Sequence, residues 1–254
     1  MFKITELPNE EIKVHNSINN LDKQLSHDIP HPLPNYNGFS LLICGPSGSG
    51  KTTFLYSIMS KKKKNGVRQS YRGLFDKIYV ISPTIGKDSI KNDPFKTLPD
   101  DQIHRSLSSD LLDELDEELN ENRANELNSV VILDDVGSQL RKNQKIDKKL
   151  TSMIQNRRHQ YTSYIIILQR FRDAGTGIRN NLSHFVTFRP KNKPEQDAIS
   201  NELFPYDNKK NQQILNHIFE SDNNFSFLFV DMSLKTTNKF LFYNGFNPLQ
   251  ITTD

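Results

Sequence analysis

The sequence predicts an α/β fold: three layers around a mostly parallel central sheet, with a β-hairpin extension towards the C-terminus. Two features of the hydrophobic pattern lead to it. Five short apolar runs lie at 39–44, 77–82, 130–134, 164–169 and 184–188, with cores LLIC, IYVI, VVIL, YIIIL and FVTF. These cores are nearly continuous rather than alternating, as strands buried on both faces of a parallel sheet require. The segments between them are long enough for crossover helices, which the parallel order needs.

Taken in order, residues 1–37 are polar, rich in Asn and Pro, and read as an N-terminal arm. Residues 38–190 form the expected core, and 191–254 a C-terminal extension of the same domain. Helices are predicted over 51–62, 108–122 and 146–159. In the second, Leu111, Leu112, Leu115 and Leu119 fall at helical spacing, and Ser108 or Ser109 can cap its start. Its acids read as a solvated outer face. After Pro190 a polar stretch with Pro194 and Pro205 leads to apolar runs at 225–230 and 239–243, read as a hairpin on the sheet edge. Their aromatics read as core.

The 254 residues suffice for one large α/β domain. The net charge of +3 conceals an uneven distribution. Between Asp110 and Glu126 there are eight carboxylates and one base, Arg123; from Gln139 to Asp173 nine bases face two acids. A basic stretch of this kind suits a polyanion. Cys44 is the only cysteine, so no intrachain disulfide forms, and its apolar strand marks it as a small buried hydrophobe. No run approaches the roughly 20 apolar residues that span a bilayer. The N-terminal segment lacks the apolar core of a signal peptide. The expectation is a soluble protein made in a reducing compartment.

The strongest local signal is Gly45-Pro46-Ser47-Gly48-Ser49-Gly50-Lys51-Thr52, followed by Thr53. It matches the G-x-x-x-x-G-K-[ST] phosphate loop, follows an apolar strand and opens a helix. Its glycines let backbone N–H groups turn inward around phosphates, and the helix adds its positive end. Lys51 can reach the β- and γ-phosphates of ATP, and the Thr52 hydroxyl can hold Mg²⁺. The predicted fold therefore resembles the P-loop NTPases of RecA/ASCE-like type.

The run ending in Asp134-Asp135 delivers a carboxylate beside that loop. Asp134 is the candidate Mg²⁺ acid, and Asp135 is placed to orient or deprotonate an attacking water. Related ATPases often use Glu at the latter position. Gln169 ends the next apolar run and would meet the γ-phosphate if its strand inserts between the other two. Arg157, Arg158 and His159 close a helix. They either complement its dipole or supply an arginine finger to a neighbouring subunit. Arg158 is the first candidate for that finger, with Arg157 and Arg179 as alternatives. Lys61–Lys64 lies roughly 15 Å from the loop at the helical rise, so it decorates the helix end or touches DNA rather than ATP.

These pieces in this order resemble the FtsK–HerA superfamily, and within it the genome-packaging ATPases of pox-like large DNA viruses and their virophage relatives. The resemblance is carried by LLICGPSGSGKTT, KIYVISPT, VVILDDV, the RRH at 157–159, the run ending in Gln169, and IRNNLSHFVTFRP. It covers roughly residues 37–190. It implies a homo-oligomeric ring, pentameric or hexameric, that grips duplex DNA without regard to sequence and pumps it into a capsid. Capsid proteins would be partners, and the location would be the host cytoplasm or the virion. Other readings of the same residues are a different nucleic-acid-dependent ATPase, a nucleotide kinase and an ATP-binding regulatory module. The Asp-Asp strand followed by a strand ending in Gln suits water attack better than transfer to a second nucleotide.

Overall fold

The computed structural model describes residue 25 and residues 29–60, 63–64, 67–68, 70–84, 93–220, 225–233 and 241–251. In chain order the strands are β1 (Ser40–Cys44), β2 (Lys63–Lys64), β3 (Val67–Arg68), β4 (Lys77–Ile81), β5 (Ile103–His104) and β6 (Ser129–Asp134). They continue with β7 (Thr162–Leu168), β8 (His184–Phe188), β9 (Phe227–Asp231), β10 (Phe242–Asn244) and β11 (Asn247–Pro248). The helices are α1 (Lys51–Met59), α2 (Ser109–Ala124), α3 (Gly137–Lys142), α4 (Gln144–Asn156), α5 (Thr176–Arg179), α6 (Lys193–Leu203) and α7 (Asn208–Phe219).

Nine strands form one sheet in the order β11-β10-β9-β8-β1-β7-β6-β4-β5, and β2 and β3 pair separately. From β8 to β5 every pairing is parallel; β9, β10 and β11 add antiparallel on the β8 side. The five expected runs are the central strands, and β7 lies between β1 and β6. In β1 the side chains alternate between two apolar layers. Leu42 and Cys44 join a cluster with α2, α4, α6 and α7, while Leu41 and Ile43 join one with α1. Both faces are dry, which is why the runs do not alternate in polarity.

The helices follow their sequence signals closely at the starts. The Ser108 side chain accepts the Leu111 N–H, and Asn143 accepts those of Lys145 and Ile146. The first helix ends at Met59, short of the expected 62; Lys61 and Lys62 lie outside the described residues, as do most of residues 1–37. Of the lead-in, Leu25, Ile29 and Leu33 are buried against the α1 face. The larger difference lies after Pro190, where the polar stretch forms α6 and α7. Asn192 caps α6, with Pro194 in its first turn, and Asp207 caps α7. Their apolar stripes (Ala198 and Ile199; Ile214, Leu215, Ile218 and Phe219) pack on the α2/α4 side of the sheet.

The acidic and basic segments meet along α2 and α4. Lys149 bridges Asp113 at 3.0 Å and Asp116 at 2.9 Å. Such partly exposed pairs are worth at most about 1 kcal/mol each, while each buried leucine or isoleucine beneath them stabilises by about 1.5–3 kcal/mol. Apolar packing therefore holds this layer together, and the ion pairs trim its surface.

Candidate functional site

The C-terminal edge of the parallel strands carries the site. The loop after β1 begins with the Gly45 N–H donating to Leu168 O (3.3 Å) at the end of β7. It tightens through Ser49 N to Pro46 O (3.3 Å) and becomes helical where Phe54 N donates to Gly50 O (2.8 Å). Gly48 at φ +78° and Gly50 at φ +102° are both left-handed, a region that costs other residues roughly 1–2 kcal/mol. Gly50 caps α1 without a side chain, so the helix opens with its first N–H groups unmasked.

Ser47, Gly48, Gly50, Lys51, Thr52 and Thr53 line a cavity of about 300 Å³, together with Thr84, Asp134, Asp135 and Gln169. Gly45, Pro46 and Ser47 also line an adjoining cavity of about 190 Å³, beside Arg170 and Lys191, and Ser49 is buried. The Lys51 ammonium curls back over the loop and donates to Gly45 O (2.7 Å) and Pro46 O (2.8 Å). Burial lowers its pKa from the ordinary lysine value, against the opposing pull of Asp134 and Asp135. The thiol of Cys44, buried under the loop, is pushed up by desolvation.

Asp134 ends β6 and its Oδ2 accepts the Ser82 hydroxyl at 3.2 Å. Ser82 Oγ also lies 3.2 Å from Thr84 Oγ1. Both residues follow β4, the neighbour of β6, and neither is among the site residues expected from the sequence. The signal was present: Ser82 closes an apolar run, as Gln169 does. Asp135 turns out of the strand at φ +53° while its N–H donates to Ile167 O (3.1 Å). Its exposed carboxylate accepts Gln169 Nε2 at 3.0 Å, so Asp135 and Gln169 act as one hydrogen-bonded pair.

Of the candidate fingers, Arg157 and Arg158 sit apart from this edge. Arg157 donates to Gly38 O (2.9 Å) and Ile154 O (2.8 Å), and burial lowers its pKa. Arg158 packs beside Gly38, where the chain enters β1 and β7. The seven residues of β7 separate that end from Gln169 by about 23 Å. Arg179 is clamped bidentately on Glu202, at 2.7 and 3.0 Å, and also donates to Ala174 O (2.5 Å). Arg170 and Arg172, exposed directly after Gln169, were not singled out in sequence. In the basic segment, Arg141 pairs with Asp173 (3.3 Å) and Lys149 with α2, while Lys142, Lys145 and Lys148 are exposed. Among the described residues no helix is long and apolar enough to cross a membrane.

The left-handed Gly50 yields a direct test. A Cβ there would sit 3.3 Å from Phe225 Cδ1 and 3.4 Å from Phe188 Cε1, adding crowding to backbone strain. Gly50→Ala should cost about 1–2 kcal/mol in denaturant unfolding, whereas Ser47→Ala, at an exposed position of the same loop, should stay within about 0.5 kcal/mol. Equal costs would mean that the Gly50 conformation is not imposed by the fold.

Comparison with known proteins follows the same lines. Among solved structures, the chain is similar to the DNA-packaging ATPase B204 from Sulfolobus turreted icosahedral virus. That match has a TM-score of 0.56 and 15% identity, covering 77% of this chain and 93% of that one. It is also similar to the genome packaging NTPase B204 from Sulfolobus turreted icosahedral virus 2 in complex with AMPPCP. There the TM-score is 0.52 and the identity 13%, covering 78% and 95% of the two chains. At these identities the likeness shows the fold, a P-loop NTPase with a mostly parallel sheet. No curated protein matches the sequence. A family model does, that of the poxvirus A32 protein, over residues 34–239. With most of its length matched, the chain belongs to the poxvirus A32 protein family.

Proposed function

We infer that this chain is an ATPase that drives double-stranded DNA into a viral capsid. The observation that carries the reading is the convergence of a phosphate loop, an Asp-Asp strand end and Gln169 on the adjacent strands β1, β6 and β7. Its family supports the viral setting, and the similar structures are named as a DNA-packaging ATPase and a genome packaging NTPase.

In this reading the loop from Gly45 through Pro46, Ser47, Gly48, Ser49 and Gly50 to Thr52 and Thr53 wraps the phosphates. Ser47, Gly48, Gly50, Thr52 and Thr53 offer backbone N–H or hydroxyl donors, Gly45, Pro46 and Ser49 hold the turn, and Lys51 meets the β- and γ-phosphates. Thr52 and Asp134 share one cavity and offer the hard oxygen donors that suit Mg²⁺. When bound, that ion neutralises charge on the phosphates. Ser82 fixes the Asp134 carboxylate through its hydroxyl. Asp135 orients or deprotonates the attacking water. Gln169 holds Asp135 in place and reports the state of the γ-phosphate to the loop that follows it.

The ring and its partners belong to the same proposal. Subunits assemble as a pentamer or hexamer around duplex DNA and dock on capsid proteins. Residues 38–190 supply the motor core, and 191–254 complete its sheet and one helical layer. Arg158 stands too far from its own loop to serve it, so it reaches the ATP of the adjacent subunit. Arg157 and Arg179 are the alternatives for the same role. Mixing Arg158→Ala with Lys51→Ala subunits should restore part of the activity that each lacks alone, because competent loops then meet competent fingers. Mixed rings without recovery would remove Arg158 from this role.

The DNA track follows from the exposed Lys142, Lys145 and Lys148. Long duplex DNA of any sequence should raise ATP turnover, and Lys51→Ala should abolish it. Neutralising the three lysines should flatten the log–log salt dependence of DNA binding by up to about 2.7, at about 0.9 per phosphate contact. Turnover raised by a nucleoside monophosphate instead of DNA would contradict the reading. An unchanged salt slope would place the track elsewhere.

A further inference from the structure

We propose that Phe225 is the stacking platform for the nucleotide base, an inference that rests on the ATP reading of the same cavity. The two ends of the cavity differ in chemistry. Asp134, Asp135 and Gln169 occupy the β6/β7 end, where the terminal phosphate and its water belong. The base must then leave the loop in the opposite direction, across β1 towards β8 and β9.

Phe225 stands on that side. It lies two residues before Phe227, which pairs with Phe188 at the site end of β8. Four strand spacings separate β6 from β9 in the sheet, about 19 Å at the usual interval. The cavity is lined by Asp134 on the β6 side of the phosphate loop and by Phe225 on its other side, beside Gly50. Among the described residues that line it, Phe225 supplies the one aromatic ring.

The ring is placed rather than merely near. Its Cδ1 lies 3.3 Å from where a Gly50 Cβ would be, and Thr53 lies one helical turn from Gly50 on α1. Phe225 is 64% exposed, which leaves its surface open to a ligand. The phenylalanines next to it do not share that exposure to the same degree. Phe54, Phe188, Phe227 and Phe246 pack on one another at centroid distances of 5.2–6.5 Å, and Phe225 stands beside this cluster, its Cδ1 and the Phe188 Cε1 facing the same Gly50 position at 3.3 and 3.4 Å. An aromatic face accepts any base, so this contact raises nucleotide affinity without selecting adenine over guanine.

The test separates base from phosphate by measuring binding of ATP, GTP and inorganic triphosphate. Phe225→Ala should weaken ATP and GTP alike, by roughly 5- to 150-fold, and leave triphosphate binding as in the wild type. The chain contains no tryptophan, so Phe225→Trp installs a single reporter. Its fluorescence should be quenched by ATP and GTP but not by triphosphate, with ATP affinity retained. Unchanged ATP affinity in Phe225→Ala, or a tryptophan signal indifferent to ATP, would overturn the proposal. An equal loss of ATP and triphosphate would overturn it too, because the ring would then be a prop for the loop. Wild-type protein that binds neither ligand would overturn the nucleotide reading itself, and this inference with it.

Discussion

The position of β7 between β1 and β6 is the constraint on which the rest of the structure depends. Its backbone carbonyls take a hydrogen bond from each side at the point where the site begins. Leu168 O accepts the first N–H of the phosphate loop, and Ile167 O accepts the N–H of Asp135. Cys44 is thereby brought level with Leu168 and Asp134 with Ile167, and the residues after them emerge onto one edge. A slip of one residue in this register would turn Gln169 away from Asp135 and send the apolar faces of β7 to the wrong layers. Apolar packing on both sides of the sheet enforces the register, since every residue of β7 is buried.

That arrangement also sets the electrostatics. Lys51 is half withdrawn from water, and burial alone favours its neutral form. Two carboxylates and two loop carbonyls oppose that cost. The ammonium is thus held over the loop before any phosphate arrives, so little side-chain freedom remains to be lost on binding. Gln169 extends the same logic outward. It is bonded to Asp135 on one side and leads on the other into the turn carrying Arg170 and Arg172. In the proposed motor, a change at the γ-phosphate would have a short covalent path to an exposed basic loop.

Much of this was legible in the sequence because its signals are local. A buried parallel strand must be continuously apolar, a phosphate loop must carry glycines, and Ser108 announces the helix that follows. What was missed depended on partners distant in sequence. Ser82 gains its meaning only when β4 lies beside β6, and Arg179 and Lys149 were read as available charge until Glu202, Asp113 and Asp116 met them in space. The helices α6 and α7 were a different failure. Asn192, Pro194 and Glu195 together form a helix start, but Pro194, Pro205 and a largely polar composition mask the helices that follow. The edge strand β5 has two residues, too few for any period.

Motion along DNA, rather than ATP turnover alone, distinguishes a packaging motor from an ATPase that DNA merely stimulates. The most direct measurement is displacement of a labelled third strand from a long duplex, followed in real time with ATP and Mg²⁺. The wild-type protein should strip the third strand after a lag that grows with its distance from the duplex end. Asp135→Asn should bind the same DNA and ATP without displacing it. DNA-stimulated hydrolysis with no displacement at any distance would contradict the account.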